Sequence, residues 1–309
     1  MNRKNKWIIY GIGLSLLLGG CMNMDNEKNN VDSQEATGPY KDTFVRVQDY
    51  KGEGYVLRNG EDADKIAEEK SDEVQKAVKD FFMEKYKTDV KVHNIVGNKD
   101  GATVFVESTG PVHFYTTAIV PIDLSEEKVK ANGVVSLEGE VESAIRGGLY
   151  HLLFEKEFAE LDQYLDTFVN EHKVVGRTME AIENVGGIGY MTPYYFITTS
   201  KSDKAIKPVY DLYLENPDTP VSEFKAQFAE DGFSAENIKI NIELFMEEKE
   251  AEPNEELINQ LSNDLKGMTG IPKGSYSLTL NDNLINEKVG DGLKDNSLEA
   301  GFPDYIEIN

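Results

Sequence analysis

From residue 61 the apolar positions recur three and four apart, at Ile66, Val74, Val78, Phe81 and Phe82, and Glu61, Asp62 and Asp64 open the stretch. This spacing predicts one amphipathic helix over 61–87, with acids at the end where the helix dipole favours them. Before it, "TFVRVQDYKGEGYVLRNG" (43–60) predicts one or two short strands with glycine turns. After it the period becomes two. "DVKVHNIVG", "ATVFVES" and "PVHFYTTAIVPID" read as strands, and the polar turn "NKDG" makes the first two an antiparallel hairpin. From 139 the helical period returns, in the stripes Val141, Ile145, Leu149, Leu152 and Phe158, Leu161, Leu165, Phe168. Gly147 and Gly148 interrupt the first stripe. Each costs about 1 kcal/mol relative to alanine in a helix, so a close contact or a kink is expected there. Further helices are predicted over 203–215, from Val221 and over 254–267, with strands over 192–200, 274–280 and 304–308. "NIKINIELFM" fits both periods and is read as a strand. The fold class is α+β: a helix and an antiparallel meander (39–138), then a mostly helical part with a few strands (139–309).

The first 38 residues do not belong to this pattern. Arg3, Lys4 and Lys6 precede an apolar run over 7–18, followed by Gly19, Gly20 and Cys21, the chain's single cysteine. Basic, apolar and small-residue segments in that order form a secretory signal. Twelve apolar residues are fewer than the ~20 that span a bilayer as a helix. Leu18, Gly19, Gly20 and Cys21 resemble a bacterial lipobox, which implies diacylglyceryl attachment to the Cys21 sulfur and cleavage after Gly20. Residues 1–20 are therefore expected to be a lipoprotein signal peptide. Residues 21–38, polar and without periodicity, read as a disordered tether. Two acyl chains anchor firmly where one does not.

Composition narrows the partners. The chain carries a formal charge of −24, and loss of a leader with three basic residues makes it more acidic still. That charge disfavours nucleic acid. The membrane is met through the Cys21 lipid. With 39% hydrophobic residues, stability is expected from a core, since no second cysteine is present for a disulfide.

Candidate chemistry is sparse. His93, His113, His151 and His172 show no metal-ligand spacing. His93 and His113 fall on predicted strands and could meet across a sheet, but neither a metal nor a catalytic role is assigned to them. There is no GxSxG and no phosphate-binding loop, so no catalytic residue and no cofactor is named. "NDNLINEKVGDGLKDN" (281–296) is acidic and Asn-rich, yet lacks calcium-loop spacing and reads as a solvated loop. "ENVGGIGYMTPYY" (183–195) is the most unusual segment. Its GGxG spacing and the strand after it exclude a dinucleotide fold. Two readings remain. The segment is either a tight turn feeding a strand whose tyrosines alternate between core and surface, or a ligand site. In the second, Gly187 and Gly189 let the backbone approach a sugar or peptide on which Tyr190, Tyr194 and Tyr195 stack.

"YKGEGYVL", "DGATVFVES", "EAIENVGGIGYMTPYY" and "KDNSLEAGFPDYI" resemble the Gram-positive lipoprotein family known as domain of unknown function 1672. The resemblance spans nearly all of the chain beyond the leader. It implies a lipoprotein on the outer face of the cytoplasmic membrane, and no activity. The function expected is non-enzymatic binding of an envelope protein or a small wall-associated ligand. The alternatives are a solute receptor for an importer and a carboxylate-dependent hydrolase acting on the envelope.

Overall fold

The computed structural model describes residues 43–301 and 303–309. The leader 1–20, Cys21 and the tether 21–38 lie outside the described residues. β1 (Phe44–Arg46) is followed by α1 (Glu61–Glu69) and α2 (Ser71–Tyr86), so the helix predicted over 61–87 is broken. Lys70 leaves helical geometry at φ −115°, ψ 29°. The break lets two apolar faces turn to different partners. Ala63, Ile66 and Ala67 pack on Ala102 and Ile122 in a small core of their own, whereas Val74, Val78 and Phe82 enter the main core.

The meander follows as expected: β2 (Val90–Asn98), β3 (Gly101–Ser108), β4 (Tyr115–Asp123) and the short β5 (Lys128–Val129), all antiparallel neighbours in that order. Asn98 pairs with Gly101 across a two-residue turn. The ladder of β2 and β3 slips between Val92 and Asn94, so His93 is the extra residue of a bulge.

Beyond it come α3 (Glu140–Leu153), α4 (Glu155–His172), β6 (Val174–Val175), α5 (Met179–Val185), β7 (Tyr190–Met191), β8 (Tyr195–Thr199), α6 (Lys207–Glu215) and α7 (Val221–Gln227). The chain ends with β9 (Ile238–Met246), α8 (Glu255–Gly267), β10 (Gly274–Asn281), β11 (Leu284–Asn286), β12 (Leu298–Ala300) and β13 (Ile306–Ile308). β9, the segment whose period was ambiguous, is a strand that buries Ile238, Ile240, Ile242 and Leu244 on one face. It lies inside a seven-stranded sheet ordered β12-β10-β9-β8-β7, with β13 also on β10 and β6 also on β9. β9 and β10 are parallel, a pairing that needs a crossover rather than a hairpin, and α8 supplies it. β1 pairs with β11, so the first and last parts of the described chain meet.

Arg177, just before α5, ties the far side of β9 to the C-terminal segment. Its guanidinium grips Glu243 with two bonds of 2.6 and 3.1 Å and donates a third, of 2.7 Å, to the Gly290 carbonyl. Such a fork fixes orientation as well as charge.

All the described residues belong to one compact unit, and α3 is the element on which its two larger sheets converge. Val141, Ala144, Ile145 and Leu149 are fully buried in the main core. At Gly147 and Gly148 the helix comes against backbone. A Cβ on Gly148 would lie 2.4 Å from the His113 carbonyl oxygen, and one on Gly147 would lie 3.0 Å from that of Ile197. The two glycines thus serve a close approach of the helix to a loop and a strand. The sheets also touch directly: Tyr115 of β4 and Gly189 exchange N–H···O bonds of 2.8 and 3.0 Å.

Gly148→Ala therefore puts about 1 kcal/mol of helix propensity against a backbone clash that no side-chain rotation relieves. The clash wins. The substitution is expected to cost about 2 kcal/mol net, read as a lower denaturant midpoint at unchanged slope, and Gly147→Ala costs less. An unchanged or raised midpoint for Gly148→Ala refutes the close-approach argument.

Candidate functional site

The bulge in β2 re-aims one side chain, a common use of this irregularity beside functional sites. His93 turns inward until its side chain is 4% exposed, and both ring nitrogens meet carboxylates. Nε2 lies 2.7 Å from Glu107 Oε2, and Nδ1 lies 3.4 Å from Glu183 Oε2. Glu107 stands on β3, opposite Lys91 and Tyr115. Its other oxygen is 2.9 Å from His113 Nε2. His113 sits immediately before β4, and its carbonyl is the one pressed on Gly148. Glu183 comes from α5, whose first turn is capped by the Thr178 hydroxyl accepting from the Ala181 N–H at 3.1 Å. The far end of α5 is pinned to β2 by the Asn94 amide, which donates to the Asn184 carbonyl at 3.0 Å. The meander supplies two imidazoles and one carboxylate from neighbouring segments, and α5, far along the chain, supplies the second carboxylate.

Burial alone would raise the Glu107 carboxyl, but hydrogen bonds from His113 and His93 outweigh it and hold the group below the ordinary carboxylate range. Around the cluster lies an aromatic shell. Tyr115 and Tyr190 meet the His113 ring edge-on at 5.0 and 5.8 Å. Tyr190 also stacks on His151 at 3.6 Å between centroids and 11° between planes. Burial, with help from the nearby His113 charge, pushes His151 down to about 4, so this ring is neutral at physiological pH. Burial pushes the Tyr190 hydroxyl up to about 12. One donor atom each from His93, Glu107 and Glu183 lie within 4.8 Å of one another.

Comparison with known proteins settles the family. Residues 37–308 match the family described as "Protein of unknown function (DUF1672)". The chain belongs to the DUF1672 family. Its fold is similar to the crystal structure of a DUF1672 family protein from Staphylococcus aureus subsp. aureus Mu50, with a TM-score of 0.67 at 20% identity, covering 86% of this chain and 98% of that one. A search of curated proteins gives no match.

In this DUF1672 chain the tyrosine segment is divided among several tasks. Tyr195 is 1% exposed, donates to Asp162 Oδ1 at 2.9 Å and stacks on Phe158 at 5.9 Å. It is a core residue, closed to a ligand. Gly189 adopts φ +125°, and a Cβ there would lie 2.2 Å from the Ile197 carbonyl oxygen, so its freedom serves the bridge to Tyr115. Tyr190 is half-buried and belongs to the shell of His113 and His151. Tyr194 is half-buried, with its hydroxyl raised by burial and by Asp166. Gly187 has only the Met191 Cε near the position of a Cβ, at 4.0 Å. Of the five, Tyr195 and Gly189 are buried, and Gly187, Tyr190 and Tyr194 are half-buried. A shallow cleft of about 350 Å³ lies beside β1 and β11, lined by Phe44, Val289, Leu293, Asp291 and Asp295 among others.

The 281–296 segment departs from the solvated loop expected of it. Asn281 and Asn283 are fully buried. The Asn283 amide nitrogen lies 2.7 Å from the Met246 carbonyl and 2.9 Å from that of Glu247, and 2.8 Å from Gln48 Oε1. Where the acidic composition invites a cation, the chain provides its own. The Lys294 ammonium lies 2.6 Å from the Leu284 carbonyl, 2.9 Å from that of Gly292 and 2.8 Å from Asp282 Oδ1.

His93 and His113 do meet across the sheet, at Glu107. The two predicted strands allowed that meeting, but the bulge that turns His93 inward leaves no mark in the alternation. Glu183 had no signal of its own among 56 acids.

Two outcomes follow for the aromatic shell. Tyr195→Ala is expected to cost about 3 kcal/mol or more in denaturant unfolding, with Tyr190→Ala costing clearly less, and equal small losses contradict the core assignment of Tyr195. For His151, the pKa is lower folded (about 4) than unfolded (6.5). Its contribution is therefore complete above 6.5 and is lost as pH falls towards 4, because only the unfolded chain takes up the proton. The wild type should lose about 2–3 kcal/mol more than His151→Gln between pH 7.5 and 4.5. Parallel pH profiles for the two proteins contradict this.

Proposed function

We propose that this DUF1672 chain is a lipoprotein of the outer face of a Gram-positive cytoplasmic membrane that acts by binding rather than by catalysis. The observation that carries the anchoring is the border "LLLGGCMN", where a short apolar run after three basic residues stops at the single cysteine. Among the described residues no helix is long and apolar enough to cross a membrane. Attachment through Cys21 would leave the 21–38 segment between lipid and fold, a length that reaches at most about 60 Å when extended.

Binding is favoured over the hydrolase reading by the state of the histidine–carboxylate cluster. A general acid working near neutral pH needs a raised carboxyl pKa. Glu107 is held low instead, and both of its oxygens are engaged by histidines. The solute-receptor reading is less well supported, because such receptors place their ligand between two lobes. Here both larger sheets pack into one core that includes Val104 and Val120 of the meander together with Ile240 and Leu278 of the other sheet. The partners that fit are an envelope protein or a small wall-associated ligand.

The test is Cys21→Ser in cells, followed by fractionation and labelling with a fatty-acid analogue. The wild type is expected to carry label in the membrane fraction, and the variant to accumulate as unlabelled precursor or released protein. Wild-type protein held in the membrane without label overturns the anchoring.

A further inference from the structure

We infer that His93, Glu107 and Glu183 form a binding site for a divalent transition-metal ion of the zinc type, with His113 as the residue that orients Glu107. Three features of the cluster support this. The first is charge: the cluster brings together two carboxylates, Glu107 and Glu183, whose ion-pair partners among the described residues are the imidazoles of His93 and His113, with no lysine or arginine. A divalent ion balances both, in a chain whose net charge is −24.

The second is donor chemistry. One imidazole nitrogen with carboxylate oxygens suits zinc and its first-row neighbours, whereas calcium and magnesium prefer oxygen alone and copper(I) prefers sulfur. Two ligands at about 2.0–2.2 Å on one tetrahedral ion stand roughly 3.3 Å apart. The 3.4 Å to Glu183 is at His93 Nδ1 and the 2.7 Å to Glu107 is at Nε2, so an ion held by one ring nitrogen draws the carboxylate on the other side of the ring round to it; one donor atom of each residue already lies within 4.8 Å of the others. On binding, one His93 ring nitrogen gives its lone pair to the metal, and any proton it shared with a carboxylate leaves to solvent.

The third is support and access. His113 holds the second Glu107 oxygen at 2.9 Å, in the manner of residues that fix a metal's carboxylate from behind. Tyr115 and Tyr190 pack edge-on against the His113 ring, and α5 is pinned beside the site through Asn94 and Asn184. The Glu183 and His113 side chains remain 32% and 36% exposed, which leaves an entry path from solution.

The inference goes beyond the anchored-binding reading, since zinc uptake by purified protein and retention through Cys21 are separate measurements and either can fail alone. The full chain, purified in detergent and stripped with a chelator that is then removed, is titrated with zinc by calorimetry. One equivalent is expected to bind, with a micromolar or tighter dissociation constant. Glu183→Gln and His93→Gln should each weaken it at least tenfold, and His113→Gln should weaken it less. Cobalt(II) should give a visible d–d spectrum in the wild type that both ligand variants lose. Glu183→Gln keeps the shape of a partly exposed side chain, so it reads the site even if the buried His93 variant folds poorly. Binding of less than half an equivalent, affinity unchanged in Glu183→Gln, or tighter binding of calcium than of zinc overturns the proposal.

Discussion

The architecture depends on how closely α3 can approach the backbone of its neighbours. A helix normally keeps about 8–10 Å from what it packs against because side chains intervene. At Gly147 and Gly148 there is nothing to intervene, and the helix meets the carbonyls of Ile197 and His113 directly. One contact is with the seven-stranded sheet and the other with the lead-in to β4, so the same turn of helix sets both. The Tyr115–Gly189 bridge is a consequence, since two backbones can exchange hydrogen bonds only once their sheets are this near. The candidate site inherits the arrangement, because the residue whose carbonyl rests on Gly148 also sends its imidazole to Glu107.

The second constraint is electrostatic. A chain with 56 acidic and 32 basic residues must place its scarce cations where they satisfy most. Arg177 is used three times over, on both Glu243 oxygens and the Gly290 carbonyl. Lys294 is surrounded by two carbonyls and the Asp282 carboxylate. Burial would raise the Asp282 carboxyl, yet the bonds from Lys294 and its neighbours hold it below its ordinary range. Arg177 joins β9 to the C-terminal segment, and Lys294 ties that segment to itself. The cluster of Glu107 and Glu183 has only imidazole for the same task, which makes it the place where an external cation has most to offer.

Much of the secondary structure was legible because one face of nearly every element is buried and the apolar period therefore survives. The meander, the helical stripes after 139 and the helix over 254–267 all follow that rule. The unbroken helix over 61–87 did not, because periodicity records which residues are buried but not against what. Its two halves serve different cores, and the break at Lys70 is invisible to a pattern that both halves share. The 281–296 segment misled for the opposite reason: polar residues buried by mutual hydrogen bonding carry the composition of a solvated loop.

What the sequence by itself determined was the α+β class, the order of most elements and the family, together with the lipobox-like border at Cys21. These are properties of neighbouring residues, and a linear reading holds them. Only the tertiary structure decided what the unusual residues do. It sent Tyr195 to the core, Gly189 to a bridge between sheets and Tyr190 to a shell of histidines. It also gathered His93, Glu107, His113 and Glu183 at one point through a one-residue bulge, a two-glycine contact and a short helix. None of those devices leaves a period in the chain, because each acts by bringing together residues whose separation in sequence carries no information about their separation in space.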